Sequence, residues 1–340
     1  MNSRIRMQKA FEYDNPDKIP VVYHPSTAGL HVHGEKLLKL FQELPADNPV
    51  EFKEIPQPDP SCVKNGGYHE MKTDEWGIDW EYLVFGICGQ VKKYPLADYA
   101  MLDSYEFPPV PVEGGSAELQ RKAEVEKQKE NHFIIDGSLS LFDKLHTLRP
   151  MEDVLIDIYT EEDAFFQLLD RLTLYMEQQA EYLVRTGVDA VKFMDDWGFQ
   201  EIPIISLDHF RAVFRPRYER IFNVIRQAGL KIFFHSCGCL GPIFDELTDM
   251  GIGGIWHQAN RVDMEPFAEK CRKHKITAYL HPDRQQLIPF GTPEEIRTRI
   301  KQYADVYHRL GGGGIFYIEI EDDAPWANVE ALVRAVHEFR

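Results

Sequence analysis

The sequence predicts an α/β protein, a (β/α)₈ TIM barrel with an irregular N-terminal extension, and three observations predict it. From residue 132 onward, short apolar segments alternate with amphipathic helical ones. The short segments are near-continuous apolar runs, the pattern of parallel strands covered by helices. Nearly all of them end in chemically useful residues, as expected where strand carboxyl ends gather on one active face. Residues 1–340 are read as one domain, since barrels of this class often run to about 250 residues or more. A doubly wound open sheet is the alternative. No G-x-G-x-x-G follows any strand, which disfavours its nucleotide-binding form.

Taken in order, residues 4–12 predict a short helix, 19–24 (I-P-V-V-Y-H) a strand and 35–44 a helix, followed by an aperiodic stretch at 45–68. The alternation in 76–85 predicts a strand, paired in a hairpin with 90–94. Residues 116–131 read as a charged surface helix whose charges form a solvated face. Strands are then expected at 133–136, 189–196, 231–235, 253–258, 276–281 and 314–321. Helices are expected at 161–186, 207–228, 242–250, 264–274, 293–309 and 326–338. The helix at 293 opens T-P-E-E, with threonine at the cap and acids in the first turn. Six regular units, the N-terminal strand and the 76–94 region make up the eight strands of a barrel.

Composition narrows the function. Of 340 residues 44% are hydrophobic and 27% charged, enough to fill a substantial core. No window approaches the ~18 unbroken apolar residues of a membrane span, and the start M-N-S-R-I-R-M-Q-K-A lacks a secretory leader. A cytoplasmic protein is expected. A formal charge of −17 without a basic patch argues against nucleic acid as partner. Five cysteines in a chain this long do not form a disulfide scaffold.

Two of those cysteines sit with a histidine in L-K-I-F-F-H-S-C-G-C-L-G (230–241). Cys237 and Cys239 are too close together to close a useful loop, which leaves two readings of His235 and Cys237: a packed cysteine beside a hydrogen-bonded histidine, or a metal site, which two thiols so near an imidazole favour. Imidazole and thiolate together suit zinc, which when catalytic takes protein ligands and keeps one position open. Cys239 is the weaker thiol, because alternate positions past a strand face opposite ways. A third ligand is expected from another strand, with Glu319 or Glu321 placed for it. Asp195 and Asp196, adjacent at a strand end, are candidates for acid or base work if one is desolvated. Capping of the following helix accounts for other strand-end acids, such as Asp283 and Asp322.

The run D-D-W-G-F-Q (195–200), the segment 205–222, H-S-C-G (235–238), G-T-P-E-E-I (291–296) and A-P-W-A-N-V-E-A-L (324–332) together resemble the uroporphyrinogen decarboxylase superfamily. P-D-K-I-P-V (16–21) is similar too. The likeness implies a (β/α)₈ barrel with its active site at the strand carboxyl ends. Its decarboxylase branch uses no metal and binds an acidic porphyrinogen through arginines of an R-Q-A-G-R motif after the first strand. The matching stretch here, H-P-S-T-A-G-L-H-V-H-G (24–34), has no arginine and would leave several substrate carboxylates without cationic partners. The other branch, methyltransferases acting with corrinoid proteins or coenzyme M, holds zinc through H-x-C and a distant cysteine near the last strand. His235 and Cys237 match H-x-C. The distant cysteine is missing, and Glu319, Glu321 or Cys239 stands in for it, or the zinc site is lost.

The resemblance therefore implies a zinc-dependent methyltransferase working with a corrinoid partner on a small methyl donor. His235, Cys237 and Glu319 or Glu321 would be ligands, and Asp195 or Asp196 would orient substrate or move a proton. His24, Trp197, His257 and His281 would line the pocket. A metal-free decarboxylase of a tetrapyrrole or other carboxylated substrate is the second expectation, and a tetrapyrrole- or corrinoid-binding barrel without chemistry the third.

Overall fold

The structure, a computed structural model, describes residues 1–50 and 52–340. Its centre is a curled sheet of seven parallel strands: β1 (Val21–Pro25), β7 (Ile135–Leu139), β8 (Ala190–Met194), β9 (Lys231–Ser236), β10 (Gly254–His257), β11 (Thr277–Leu280) and β12 (Gly314–Ile320), in the order β1-β12-β11-β10-β9-β8-β7. Helices cover the outer face: each strand from β8 onward is followed by helical chain, ending with Pro293–Leu310 before β12 and Trp326–Phe339 after it. Thr292 begins the former with the predicted capping box to Glu295.

Five shorter strands lie elsewhere. β2 (Val63–Lys64) pairs with β3 (Gly67–Tyr68), and β4 (Glu70–Thr73), β5 (Asp79–Tyr82) and β6 (Gln90–Lys93) form an antiparallel sheet of their own. The expected hairpin between 76–85 and 90–94 is there, but it adds no strand to the parallel sheet. The reason is chemical: β5 is half-buried and β6 mostly exposed, whereas a parallel strand is buried on both faces and needs an unbroken apolar run. The sequence expectation also missed helices at Phe142–Leu148 and Met151–Thr160, and the second helix starts at Thr27 rather than 35.

The curl is visible in the packing. Val22 of β1 at one edge and Phe133, next to β7 at the other, share a single inner cluster with Phe233, Trp256, Tyr279, Ile315 and Tyr317. The N-terminal helix α1 (Ser3–Glu12) closes the amino end of this interior. Its Met7 and Phe11 enter the cluster, with Phe11 stacked on Phe133 at 4.9 Å. Between the edges, Asp47 and Asn48 pair with the free side of β1: Val21 and Tyr23 N–H groups donate to Asp47 Oδ2 (3.0 Å) and Asn48 Oδ1 (3.1 Å). His132, just before β7, reaches the Asp47 carbonyl at 2.8 Å. The free edge of β1, which would otherwise expose unpaired backbone, is thereby paired with one short segment that also touches the chain just before β7. Among the described residues, no helix is long and apolar enough to cross a membrane.

Candidate active site

Register sets the site. β8, β9, β10 and β12 run in parallel with Met194 opposite His235 and His235 opposite Trp256, while Glu319 lies opposite His24 across β12 and β1. Because strand side chains alternate between faces, the residues following the inner apolar layer at the carboxyl ends are presented to one basin.

The connection after β8 is pinned from outside. Asp195 is fully buried, and its oxygens accept from Ser140 Oγ (3.0 Å), the Leu141 and Asp143 N–H groups (both 2.9 Å) and Tyr218 OH (2.7 Å). Burial, with the Asp143 charge nearby, pushes its carboxyl up to about 7. Trp197 is also fully buried, stacked on Phe142 at 4.3 Å with its indole N–H donated to Tyr218. Neither residue reaches the basin, so the expected catalytic role of Asp195 and substrate contact of Trp197 find no support in their positions. Both anchor the chain instead. Gly198 and Gly238 then pack backbone against backbone: a Cβ on Gly238, which has φ +72°, would lie 2.0 Å from the Gly198 carbonyl oxygen. That close approach locks D-D-W-G against H-S-C-G, and Asp196 is left facing the basin.

Asp196, His235 and Cys237 form a group whose ligand atoms lie within 4.8 Å of one another. His235 Nε2 is 3.3 Å from Asp196 Oδ1 and 3.5 Å from Cys237 Sγ. The other ring nitrogen, Nδ1, is 3.0 Å from the Trp256 carbonyl, which can only accept, so Nδ1 carries a proton, and Nε2 faces the group with a lone pair to offer whenever the ring is neutral. The Cys237 N–H donates to Asp196 Oδ1 at 2.7 Å. Burial pushes the Asp196 carboxyl up, but His235 and this N–H outweigh it and hold it below the usual carboxylate range. Burial beside that carboxylate pushes the Cys237 thiol up to about 12.

Across the cleft stands a second polar group. The Trp256 indole N–H donates to His281 Nδ1 at 3.1 Å. An indole is a donor only, so His281 is the neutral tautomer with its proton on Nε2. That nitrogen approaches Glu319 Oε2 to 3.0 Å, off the line of a good hydrogen bond, and neither atom has another partner among the described residues. Burial raises the Glu319 carboxyl, but His281 and Arg284 outweigh it and keep it low. Arg284 lies at the mouth, 3.5 Å from Glu319 and 3.4 Å from Glu321. The cleft between the two groups, lined by His235, Cys237, Trp256, His281 and Glu319, is small, with a volume of about 80 Å³.

The expected residues thus divide. His235, Cys237, His257, His281 and Glu319 border one cleft. His257 packs on Phe267 (4.2 Å) outside the Asp196–His235–Cys237 group, and burial pushes its imidazole down to about 3. His24 is exposed, stacked on Tyr317 at 5.6 Å. Glu319, expected with Glu321 or Cys239 as a third ligand, stands outside the ligand group as they do, beside His281 and Arg284, and all five cysteines are free. The third member of the group is Asp196, expected as an acid or base rather than a ligand. Arg284 was missed. Its signal was position alone, three residues beyond His281 at a strand end.

Against known proteins, the family described as "Uroporphyrinogen decarboxylase (URO-D)" matches residues 136–339. The chain is similar to uroporphyrinogen decarboxylases of Geobacillus kaustophilus (23% identical over 188 residues, 54% of this chain and 50% of that protein) and Methylococcus capsulatus (27% over 216 residues, 61% and 55%). It therefore spans only about half the length of these relatives. A solved structure, "methyltransferase from Methanosarcina mazei", superposes over 100% of this chain and 99% of its own with a TM-score of 0.69 at 18% identity.

Proposed function

The chain belongs to the uroporphyrinogen decarboxylase family, and within it we propose that it is a zinc-dependent methyltransferase working with a corrinoid partner protein. We read the curled sheet as the family's barrel, closed by the 47–48 segment where an eighth strand would run, and the chain as a single domain. The observation that carries the reading is the Asp196–His235–Cys237 group. Its donors are a carboxylate oxygen, an imidazole lone pair and a thiol, a set that suits zinc with one position left open. The thiol fits the same reading, since a buried Cys237 becomes a thiolate only beside a cation. The methyltransferase among its structural neighbours and the arginine-free 24–34 stretch favour the same branch.

Zinc bound there would supply Lewis acidity toward a substrate oxygen or sulfur. This chain's residues do the rest. Trp256 holds His235 as the correct tautomer through its carbonyl and His281 through its indole N–H. Glu319, kept ionised by His281 and Arg284, can take a proton from a group entering the cleft. Arg284 holds an anionic portion of the substrate at the mouth.

Metal content tests the reading. About one zinc per chain is expected in protein purified without chelator or tag-derived metal. Cys237→Ser and Asp196→Asn should lose most of it with the fold intact, and Glu321→Gln should keep it. Equal zinc in wild type and both ligand variants, or none in any after zinc is supplied, overturns the metal assignment. Decarboxylation is the second reading, favoured by the names of the sequence relatives and by Arg284 at the cleft mouth. Turnover of uroporphyrinogen at an enzymatic rate would establish it in place of methyl transfer.

A further inference from the structure

Beside the cleft, on the β1–β8 side of the interior, lies a cation to which no role has been given. Lys192 stands between Ala190 and Met194 on β8. Both of these belong to or pack against the inner cluster, so alternation turns Lys192 to the same inner face. It is half-buried. Among the described residues it has no carboxylate within ion-pair distance and no hydrogen-bond acceptor for its ammonium. This is unusual in a chain of net charge −17.

The reason is that the acids around it are engaged elsewhere. Asp136 on the neighbouring strand is held by Arg121 through Nε at 3.0 Å. Asp196 is taken by His235 and the Cys237 N–H, and Glu319 by His281 and Arg284. Burial of an uncompensated ammonium is costly, and here it pushes the Lys192 amine down, opposed only by the more distant charge of Asp136. The other ionisable group facing it is His24, likewise pushed down by burial and by Lys192 itself. Beneath His24, the Tyr317 hydroxyl is buried with no partner. An interior that presents an unpaired ammonium, an exposed imidazole and an unpartnered hydroxyl is built to receive acceptor oxygens.

We propose that Lys192, flanked by His24, is an anion subsite that binds the oxyanion head, carboxylate or sulfonate, of a small organic acid. The remainder of that molecule lies along the basin toward Asp196, His235 and Cys237. This names a substrate class for the site proposed above. It rests on that reading only for which end of the molecule reacts.

The probes are benzoate, benzenesulfonate and uncharged benzamide, titrated calorimetrically into the full chain stripped of metal. Benzoate or benzenesulfonate should bind, the tighter of the two identifying the head group, and benzamide should not. Lys192→Met should weaken the anion roughly tenfold or more, the worth of a charge-assisted hydrogen bond, and Lys192→Arg should restore part of it. The titration is made on metal-free protein, so a failed metal assignment leaves this result unaffected. If Lys192→Met does not fold, reductive methylation of the wild type provides the readout: Lys192 should be labelled more slowly when benzoate is present. Binding of neither anion, equal affinity for benzamide, unchanged affinity in a folded Lys192→Met, or unprotected labelling each overturns the subsite.

Discussion

The two ends of the sheet's interior are built on the same strands and share almost no chemistry. At the amino end, Met7, Phe11, Phe133 and Phe233 meet in a dry layer that α1 closes like a lid. At the carboxyl end the same strands present Lys192, Asp196, His235, His281 and Glu319, and His281 and Glu319 each have a buried polar atom lacking a hydrogen-bond partner. The amino end has apolar atoms in contact and is optimised for stability. The carboxyl end holds desolvated charges and unmatched donors that weaken the fold unless a ligand completes them. On β9 the two meet directly, with Phe233 in the dry layer and His235, the next residue on the same face, in the polar end.

The comparison breaks first at Phe11. Phe11→Ala should cost about 3–5 kcal/mol in urea denaturation, as a fully buried ring between Phe133 and Phe233, while zinc content per folded chain stays at the wild-type level. A loss of zinc at unchanged stability would show that the lid and the site are not separate regions.

Asp195 and Asp196 divide in the same way within two adjacent residues. Asp195→Ala strands two backbone N–H groups, Ser140 and Tyr218, and should cost roughly 3 kcal/mol. Asp196→Asn, at a side chain 40% exposed, should change stability by about 0.5 kcal/mol or less while losing metal. Thermal melts beside zinc assays separate them. Exchange of the two outcomes would reverse their roles.

A smaller effect reads the amino end by pH. Arg4 grips Asp189 with two 2.7 Å bonds, tying α1 to the start of β8. Burial pushes the Asp189 carboxyl up, but Arg4, the Ile134 N–H and Lys129 outweigh it and hold it low. A depressed carboxylate stabilises the fold above its unfolded pKa of about 3.9, and that stability is lost as pH falls through the depressed folded value. Asp189→Asn should therefore be about 1–2 kcal/mol less stable than wild type at neutral pH, with the gap closing below about pH 4. A gap that stays constant to low pH would remove the ion pair as its cause.

The smallest change is expected at Tyr317. Removing a buried hydroxyl that has no partner should leave ligand-free stability within about 0.5 kcal/mol, or raise it slightly. A large loss in Tyr317→Phe would show that the hydroxyl is satisfied within the protein and not waiting for a ligand.

Much of this was legible along the chain. Each parallel strand from β8 to β12 announces itself as an apolar run, whereas β7 (I-D-G-S-L) spans 135–139 and not the expected 133–136; His235 and Cys237 stand out by residue type and spacing. Trp197 misled because a tryptophan beside two acids reads equally as a substrate platform or a core ring; burial under Phe142 and Phe214 decides it. Glu321 misled because it lies one residue past the end of β12, where it meets Arg284 at the mouth of the cleft and not the Asp196–His235–Cys237 group. Lys192 was hidden inside D-A-V-K-F-M-D-D, where a lysine in an apolar strand reads as a face turned to solvent.

Local pattern, then, determined the α/β alternation and singled out the strand ends and the H-x-C pair as candidates for chemistry, because periodicity and residue type act over a few neighbouring positions. Only the tertiary structure decided that 76–94 stands apart from the parallel sheet. It alone decided that Asp47 and Asn48 line the free edge of β1, that Asp196 and not Glu321 joins the pair, and that Asp195 is an anchor. These outcomes depend on which strand lies beside which and on how the curl aims each side chain. Contacts between residues tens or hundreds of positions apart set both, and no window of the chain contains them.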